Sequence, residues 1–360
     1  MKLRILIVFL IFPGKWLFAQ EAGIHSKDDR HGLNVGIPEV QELLFIAYSI
    51  SEKGLQDTLI LNRKTDYYHR VLKQFMTFRN DACVKSIGID FGKHFHQLRM
   101  DACNYHFSAE GKLVKNTGLN NLSWGRKDYL KKYLPHLEEF AARSLFRDFY
   151  HQNQNYYKSL IDTLADRSQP LIQKSWLEAR SQIKFEKFNI YFSPLSWGRH
   201  STNNYESGNG PSLAIFVSAP YMNPEVPEWL LKAYDTRMIF TELDHNYVNP
   251  ASIFFSDEIK ECFLDRGRWA TGEFTDGYPD PQSLFNEYMT WALFLVYARE
   301  RYSETEFTVI RARLENSMMN YRGFIRFGQF SEALLERCQA NPETLRISDM
   351  CREMLMWCRE

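Results

Sequence analysis

Apolar residues recur at helical spacing over residues 38–47, where Pro38-Glu39-Val40-Gln41-Glu42-Leu43-Leu44-Phe45-Ile46-Ala47 sets a proline in the first turn with acidic residues behind it. Asp66-Tyr67-Tyr68-His69-Arg70-Val71-Leu72-Lys73-Gln74-Phe75 repeats that design, and further helices are predicted over residues 127–164 and 170–182, so residues 38–182 read as a helical block. The period then changes. Phe188-Asn189-Ile190-Tyr191-Phe192 and Ser212-Leu213-Ala214-Ile215-Phe216-Val217 read as strands within residues 186–220. The polar, glycine-bearing stretch 197–211 between them predicts a hairpin or a long rim loop. Helical spacing returns over residues 227–246 and again over 281–302, 304–340 and 343–358. The polar residues 20–32 have no period and are expected to be disordered. With no internal repeat, low-complexity tract or linker, the order predicts one α+β domain over residues 20–360.

The first nineteen residues read as a signal peptide. Lys2 and Arg4 precede an apolar run, and Leu17-Phe18-Ala19 stands before Gln20 as a small-residue cleavage site. The apolar run is too short to span a membrane, so an exported mature protein, periplasmic or extracellular, is expected. Export permits disulfides among Cys83, Cys103, Cys262, Cys338, Cys351 and Cys358, but there is no C-x-x-C pair, and buried free thiols are the alternative.

Composition narrows the function classes. Lysine and arginine together number 44 against 44 acidic residues, so the whole chain carries no basic excess for nucleic acid. Aromatic residues make up 15% of the chain, which suits a bulky core or a cleft that stacks on a ligand. There is no Walker or dinucleotide motif, and Ser201 and Ser218 lack a nucleophile-elbow context.

The segment that carries chemistry is Met238-Ile239-Phe240-Thr241-Glu242-Leu243-Asp244-His245-Asn246-Tyr247-Val248-Asn249-Pro250. It sets a Glu, an Asp and a His on the last turns of an otherwise apolar helix expected to end at Asn249-Pro250. It is one substitution from H-E-x-x-H, in which two histidines bind zinc and the glutamate holds the attacking water; here Thr241 replaces the first histidine while Glu242 and His245 stay in register. A helix-end cluster of ordinary polar residues, with Glu242 paired to Arg237 or Lys232, is the alternative.

A strand before this helix and Leu284-Phe285-Asn286-Glu287-Tyr288 after it complete a pattern that resembles the gluzincin-type zincin metallopeptidases. More closely, the chain resembles a family of uncharacterised exported bacterial proteins built around a domain of unknown function, with an H-E-x-x-H helix running into Val-Asn-Pro. The resemblance implies a zincin-like α+β fold, zinc as cofactor, a peptide or protein substrate, Glu242 as general base, and His245 and Glu287 as metal ligands, with residues 251–280 as a rim loop. Thr241 departs from the family pattern, because a hydroxyl is a poor zinc ligand beside an imidazole. Asp244 is a candidate substitute ligand or the group that orients the His245 ring, and Tyr288 is a candidate supporting residue. His200, in the loop before the second strand, is a candidate missing ligand or oxyanion donor, with a solvated loop histidine as its alternative. His94 and His96 alternate like strand residues and form a weaker candidate metal pair. Two functions stay open: a zinc peptidase with altered or lost activity, and a non-catalytic protein that holds a peptide or glycan in the former cleft.

Overall fold

A computed structural model describes residues 24–28, 32–116, 127–207, 210–340 and 346–360. The segment read as a signal peptide, with its expected cleavage site, lies outside these residues. Among the described residues no helix is long and apolar enough to cross a membrane.

The chain is α+β, built on a mixed five-stranded sheet. Strands β1 (Ile24–Asp28) and β2 (Leu33–Ile37) pair antiparallel. Two short strands, β3 (Tyr105–Phe107) and β4 (Leu113–Lys115), form a separate ribbon. The centre of the main sheet is parallel, with β2 beside β5 (Lys187–Ser193) and β5 beside β7 (Gly210–Ser218). β6 (Ser201–Ser207) runs antiparallel to β7 and ends the sheet.

Alternation along the strands feeds both faces. Phe188, Ile190 and Phe192 of β5 join Leu213, Ile215 and Val217 of β7 in the main core. Tyr191, Ala214 and Phe216 point the other way and meet Met100 of the helix Phe95–Ala102 and Cys103, which caps it. A sheet covered on both faces explains why β5 and β7 read as nearly continuous apolar runs. The helix Glu39–Ser49, whose residues are all buried, packs beside β5. The helix Glu228–Ser252 packs on β6 and β7 and, on its far side, on the helix Pro281–Arg301.

Several expectations are corrected. Residues 24–28 are a strand, held by backbone pairing with β2 that an apolar period does not report. The stretch 197–211 contains β6, whose Asn203, Asn204 and Glu206 gave it a polar look. His94 caps, and His96 lies within, the helix Phe95–Ala102, so they do not alternate on a strand. The helical run over 127–164 is broken at Leu145, which takes a left-handed conformation at φ 54°. The motif helix passes through Pro250 to Ser252: the proline's missing N–H falls in the last turn, where Ser252 donates to the Asn249 carbonyl. Residues 251–280 hold the helix Ser256–Phe263 and short 3-10 turns in place of a rim loop. The run 304–340 splits into Glu304–Asn316 and Phe327–Ala340 around a π-turn and Gly323. All six cysteines are free thiols.

Glu42 is a buried acid in this core. It is fully buried, and its Oε1 accepts from the Tyr67 hydroxyl at 2.8 Å, which lies 2.5 Å from the Tyr157 hydroxyl. Oε2 has no partner of good geometry, although the Ser193 hydroxyl is near enough to ease it. Burial pushes the carboxyl up from 4.5 to about 7. The native state therefore holds a proton that the unfolded chain has lost between those values, and stability falls as pH rises from about 4.5 to about 7. Glu42→Gln keeps the acceptor for Tyr67 and removes the charge. It is expected to stabilise the protein by roughly 1–3 kcal/mol at pH 8 and by little at pH 4.5 or below, read by urea denaturation at both pH values. An equal effect at the two pH values would contradict the assignment.

Candidate functional site

The motif helix carries Glu242 and His245 within one turn of each other, and β6 fixes its position. Asn246 Nδ2 donates to Thr202 Oγ1 of β6 at 2.7 Å and to the helix carbonyl of Glu242, tying the turn that carries Glu242 and His245 to the end strand of the sheet. The facing helix Pro281–Arg301 presents Glu287, Thr290 and Trp291, an i, i+3, i+4 set on one face.

Glu287 and His245 lie side by side. The His245 Nε2 atom lies 3.4 Å from Glu287 Oε1, and its Nδ1 lies 3.3 Å from Thr290 Oγ1. The second carboxylate oxygen of Glu287 accepts from the Trp291 indole at 2.8 Å and faces Arg322 Nη2 at 3.4 Å. Arg322 Nη2 also donates to the Tyr278 hydroxyl at 3.2 Å. Glu242 joins this field: burial lifts its carboxyl from 4.5 to about 7, His245, Arg99 and Arg322 pull it down, and Glu287 pushes it up.

The other expected residues fall elsewhere. Thr241 donates its hydroxyl to the Arg237 carbonyl one turn back at 3.0 Å, so it is satisfied inside its own helix. Asp244 is fully buried, and neither carboxylate oxygen has a hydrogen-bond partner of good geometry. Burial holds its carboxyl well above the usual range, partly offset by the nearby Thr290 hydroxyl. Asp244 therefore does not orient the imidazole; Thr290 takes that place. Tyr288 points to the opposite side of its helix, where its hydroxyl donates to the Trp269 carbonyl at 2.5 Å, and it belongs to the aromatic core. Tyr278 stands in the supporting position instead. His200 sits at the head of β6 with Nε2 3.0 Å from Ser218 Oγ. Burial first, and then Arg99, Arg237, Arg322 and His96, push it down to about 3, so it is a neutral imidazole among cations.

Arginines are the feature that sequence reasoning missed. Arg322 lies 4.3 Å and Arg237 5.0 Å from the Trp291 ring centroid, so two guanidiniums share one indole. Arg99 is buried over Phe95 and donates to Ser201 Oγ at 2.6 Å and to the Phe216 carbonyl at 3.2 Å. A signal for Arg237 was present, since it precedes Thr241 by four residues and so shares its face. Nothing local marked Arg322, which reaches the cleft from the turn after the π-helical residues Ser317–Tyr321.

These residues do not fit a catalytic zinc ion. Two ligands about 2.0–2.2 Å from a common ion would stand near the separation seen for His245 and Glu287, but catalytic zinc takes three protein ligands and a water. Among the described residues no group of three or more His, Cys, Asp or Glu is placed to hold a metal ion. Arg322 already brings a positive charge to Glu287. Comparison of the chain with family models, with curated proteins and with solved structures finds no match.

Gly323 sets the reach of Arg322. Its φ is +80°, and a Cβ there would lie 1.8 Å from the Thr271 carbonyl oxygen, against which the turn is packed. Thr271 N donates to the Gly323 carbonyl at 2.9 Å and closes the contact. Gly323→Ala is expected to cost roughly 1–3 kcal/mol and to dislodge Arg322 from Glu287. Chemical denaturation checks the first part; a variant as stable as wild type would show that the turn tolerates a side chain.

Proposed function

We propose that the protein is an exported, zincin-like binding protein that holds an extended peptide in the cleft beside β6 without hydrolysing it. The observation that carries this reading is the state of Glu287: one oxygen faces His245, and the other is taken by Trp291 and Arg322. A ligand set for zinc would need that carboxylate and a third donor, and the residue at the third position, Thr241, spends its hydroxyl on the Arg237 carbonyl. The water that Glu242 would hold in a peptidase gains its acidity from the metal, so a cleft that does not retain the ion lacks the nucleophile. What stays is the part of a peptidase that binds: an end strand, a helix tied to it through Asn246 and Thr202, and aromatic walls at Trp291 and Tyr278. The peptide is favoured over a glycan because an end strand recognises extended backbone by pairing with it.

Metal analysis tests this directly. Purified wild-type protein is expected to carry far less than one zinc per chain and to show no peptidase activity after zinc is added. Thr241→His combined with Arg322→Gln restores an imidazole and frees Glu287, and is expected to raise zinc affinity at least about tenfold, because a third ligand then fixes the ion. Stoichiometric zinc in the wild-type protein would overturn the proposal.

A further inference from the structure

Two of the six free cysteines stand at one helix carbonyl. The helix Ser256–Phe263 packs on the C-terminal helix Ile347–Arg359, and Cys262 Sγ on the first lies 3.8 Å from the Leu355 carbonyl oxygen on the second. Helix carbonyls point toward the C-terminus, so the next side chain beyond that oxygen on the same face is Cys358, three residues on. A short helical side chain reaches the carbonyl three residues before it: Ser159 Oγ lies 2.8 Å from the Tyr156 oxygen, and Ser331 Oγ 3.0 Å from that of Gly328. Cys358 has the same reach to the Leu355 oxygen, and the two sulfurs therefore neighbour a single atom. Cys351 is on the far side of Leu355, one turn toward the N-terminus and away from that oxygen. Contacts on either side of the pair hold this register. Glu261 Oε2 is 3.0 Å from Arg359 Nη2, the Trp269 indole donates to the Cys262 carbonyl at 2.9 Å, and the Trp269 and Trp357 ring centroids are 6.3 Å apart. Cys358 is buried and Cys262 is partly exposed, so a reagent meets Cys262 first.

We propose that Cys262 and Cys358 form a modification site, at which exchange with a small-molecule or protein disulfide closes a bond between the helix Ser256–Phe263 and the C-terminal helix. The Cys262 thiolate attacks one sulfur of the oxidant, a mixed disulfide forms, and the first oxidant thiolate leaves. The Cys358 thiolate then attacks the Cys262 sulfur, the Cys262–Cys358 bond forms, and the second oxidant thiolate leaves. The two leaving thiolates take up the two protons that the cysteines give up, so two protein thiols are oxidised and one disulfide is reduced to two thiols. Rotation about the Cα–Cβ bonds of the two cysteines supplies the approach, with no change in how the helices pack. Burial raises both thiols, that of Cys358 to about 12, so little thiolate is present at neutral pH. Closure is therefore slow, and the bond acts as a lasting clamp and not as a rapid sensor. The clamp anchors the start of the segment that carries Trp269, whose carbonyl accepts from Tyr288, and Tyr278, the phenol beside Arg322. It does not rest on what the cleft binds.

The full-length protein, reduced and freed of reductant, is incubated overnight under native conditions with oxidised glutathione, its remaining thiols are blocked with iodoacetamide, and it is digested with trypsin for mass spectrometry. Cleavage after Lys260, Arg266, Arg352 and Arg359 places Cys262 in residues 261–266 and Cys358 in residues 353–359, with Cys351 in a separate peptide. The expected product is these two peptides joined, two hydrogens lighter than their sum, in most of the protein. The joined protein is expected to melt at least about 3 °C above the reduced one, because closing the long loop between residues 262 and 358 restricts the unfolded chain. Cys262→Ser and, separately, Cys358→Ser should abolish both the link and the rise in melting temperature, and Cys351→Ser should leave both. Cys262 is partly exposed, so its serine variant carries the test should the buried Cys358→Ser fail to fold. A link from Cys262 to any other cysteine, glutathione retained on Cys262 without closure, or no link at all overturns the proposal. A joined protein that melts no higher than the reduced one overturns the clamp.

Discussion

The Glu287 carboxylate is the point on which the cleft depends. It joins three segments far apart in sequence: the motif helix through His245, its own helix through Trp291, and the turn at Gly323 through Arg322. Each contact is modest by itself, and a half-exposed ion pair contributes little to stability. Here the pairs sit where water is scarce and the donors surround one acceptor, so the loss of any one partner leaves the others short of a counter-charge. That mutual dependence ties the polar edge of the two long helices together, beside the apolar packing of Phe240 on Phe294 and Tyr297.

The rest of the molecule treats buried charge in the same way. Glu42 is kept largely neutral by burial and lies against a pair of tyrosine hydroxyls. Asp235 is matched by Arg167, and Asp244, with no partner of good geometry, is held in the protonated range. Acids that lack a cation are neutralised by a proton. An arginine has no such escape, since its guanidinium keeps its charge at any physiological pH. Arg237 and Arg99 stay charged inside the protein, and only a ligand or a neighbour can answer them.

Much of the scaffold was legible in the sequence because its signals are local. The helix Glu39–Ser49 announced itself by Pro38 and the acids behind it, and β5 and β7 by apolar runs that a sheet covered on both faces demands. His245 and Glu287, which only the family resemblance had set together, lie 3.4 Å apart. Other features had no local mark. β1 and β6 are polar in composition and exist because of their partners in the sheet. His96 alternates with His94 in sequence, yet His94 caps and His96 lies within a helix that packs Met100 under the sheet. Tyr288 was grouped with Glu287 by adjacency, but neighbours on a helix point about 100° apart, and the supporting phenol came from Tyr278, ten residues earlier. Arg322 was hidden because its placement rests on a glycine turn pressed on Thr271, a contact between segments rather than a pattern within one.

Under the proposed reading, threonine at 241 and arginine at 322 belong together in how this site is charged. A metal centre concentrates positive charge at a point and keeps one coordination position open for the reacting oxygen. In this chain Thr241 closes its own hydrogen bond inside the helix, so nothing at that position calls for an ion. The positive charge that Glu287 and His245 would share around a metal is supplied from the side by Arg322, and Arg237 extends it one turn up the motif helix. Guanidinium charge is spread over a plane and offers several N–H donors, where a metal offers orbitals and a polarised water. Under the reading proposed above, a site charged in this way pairs with an anion that a ligand already carries, through the several N–H donors of each guanidinium.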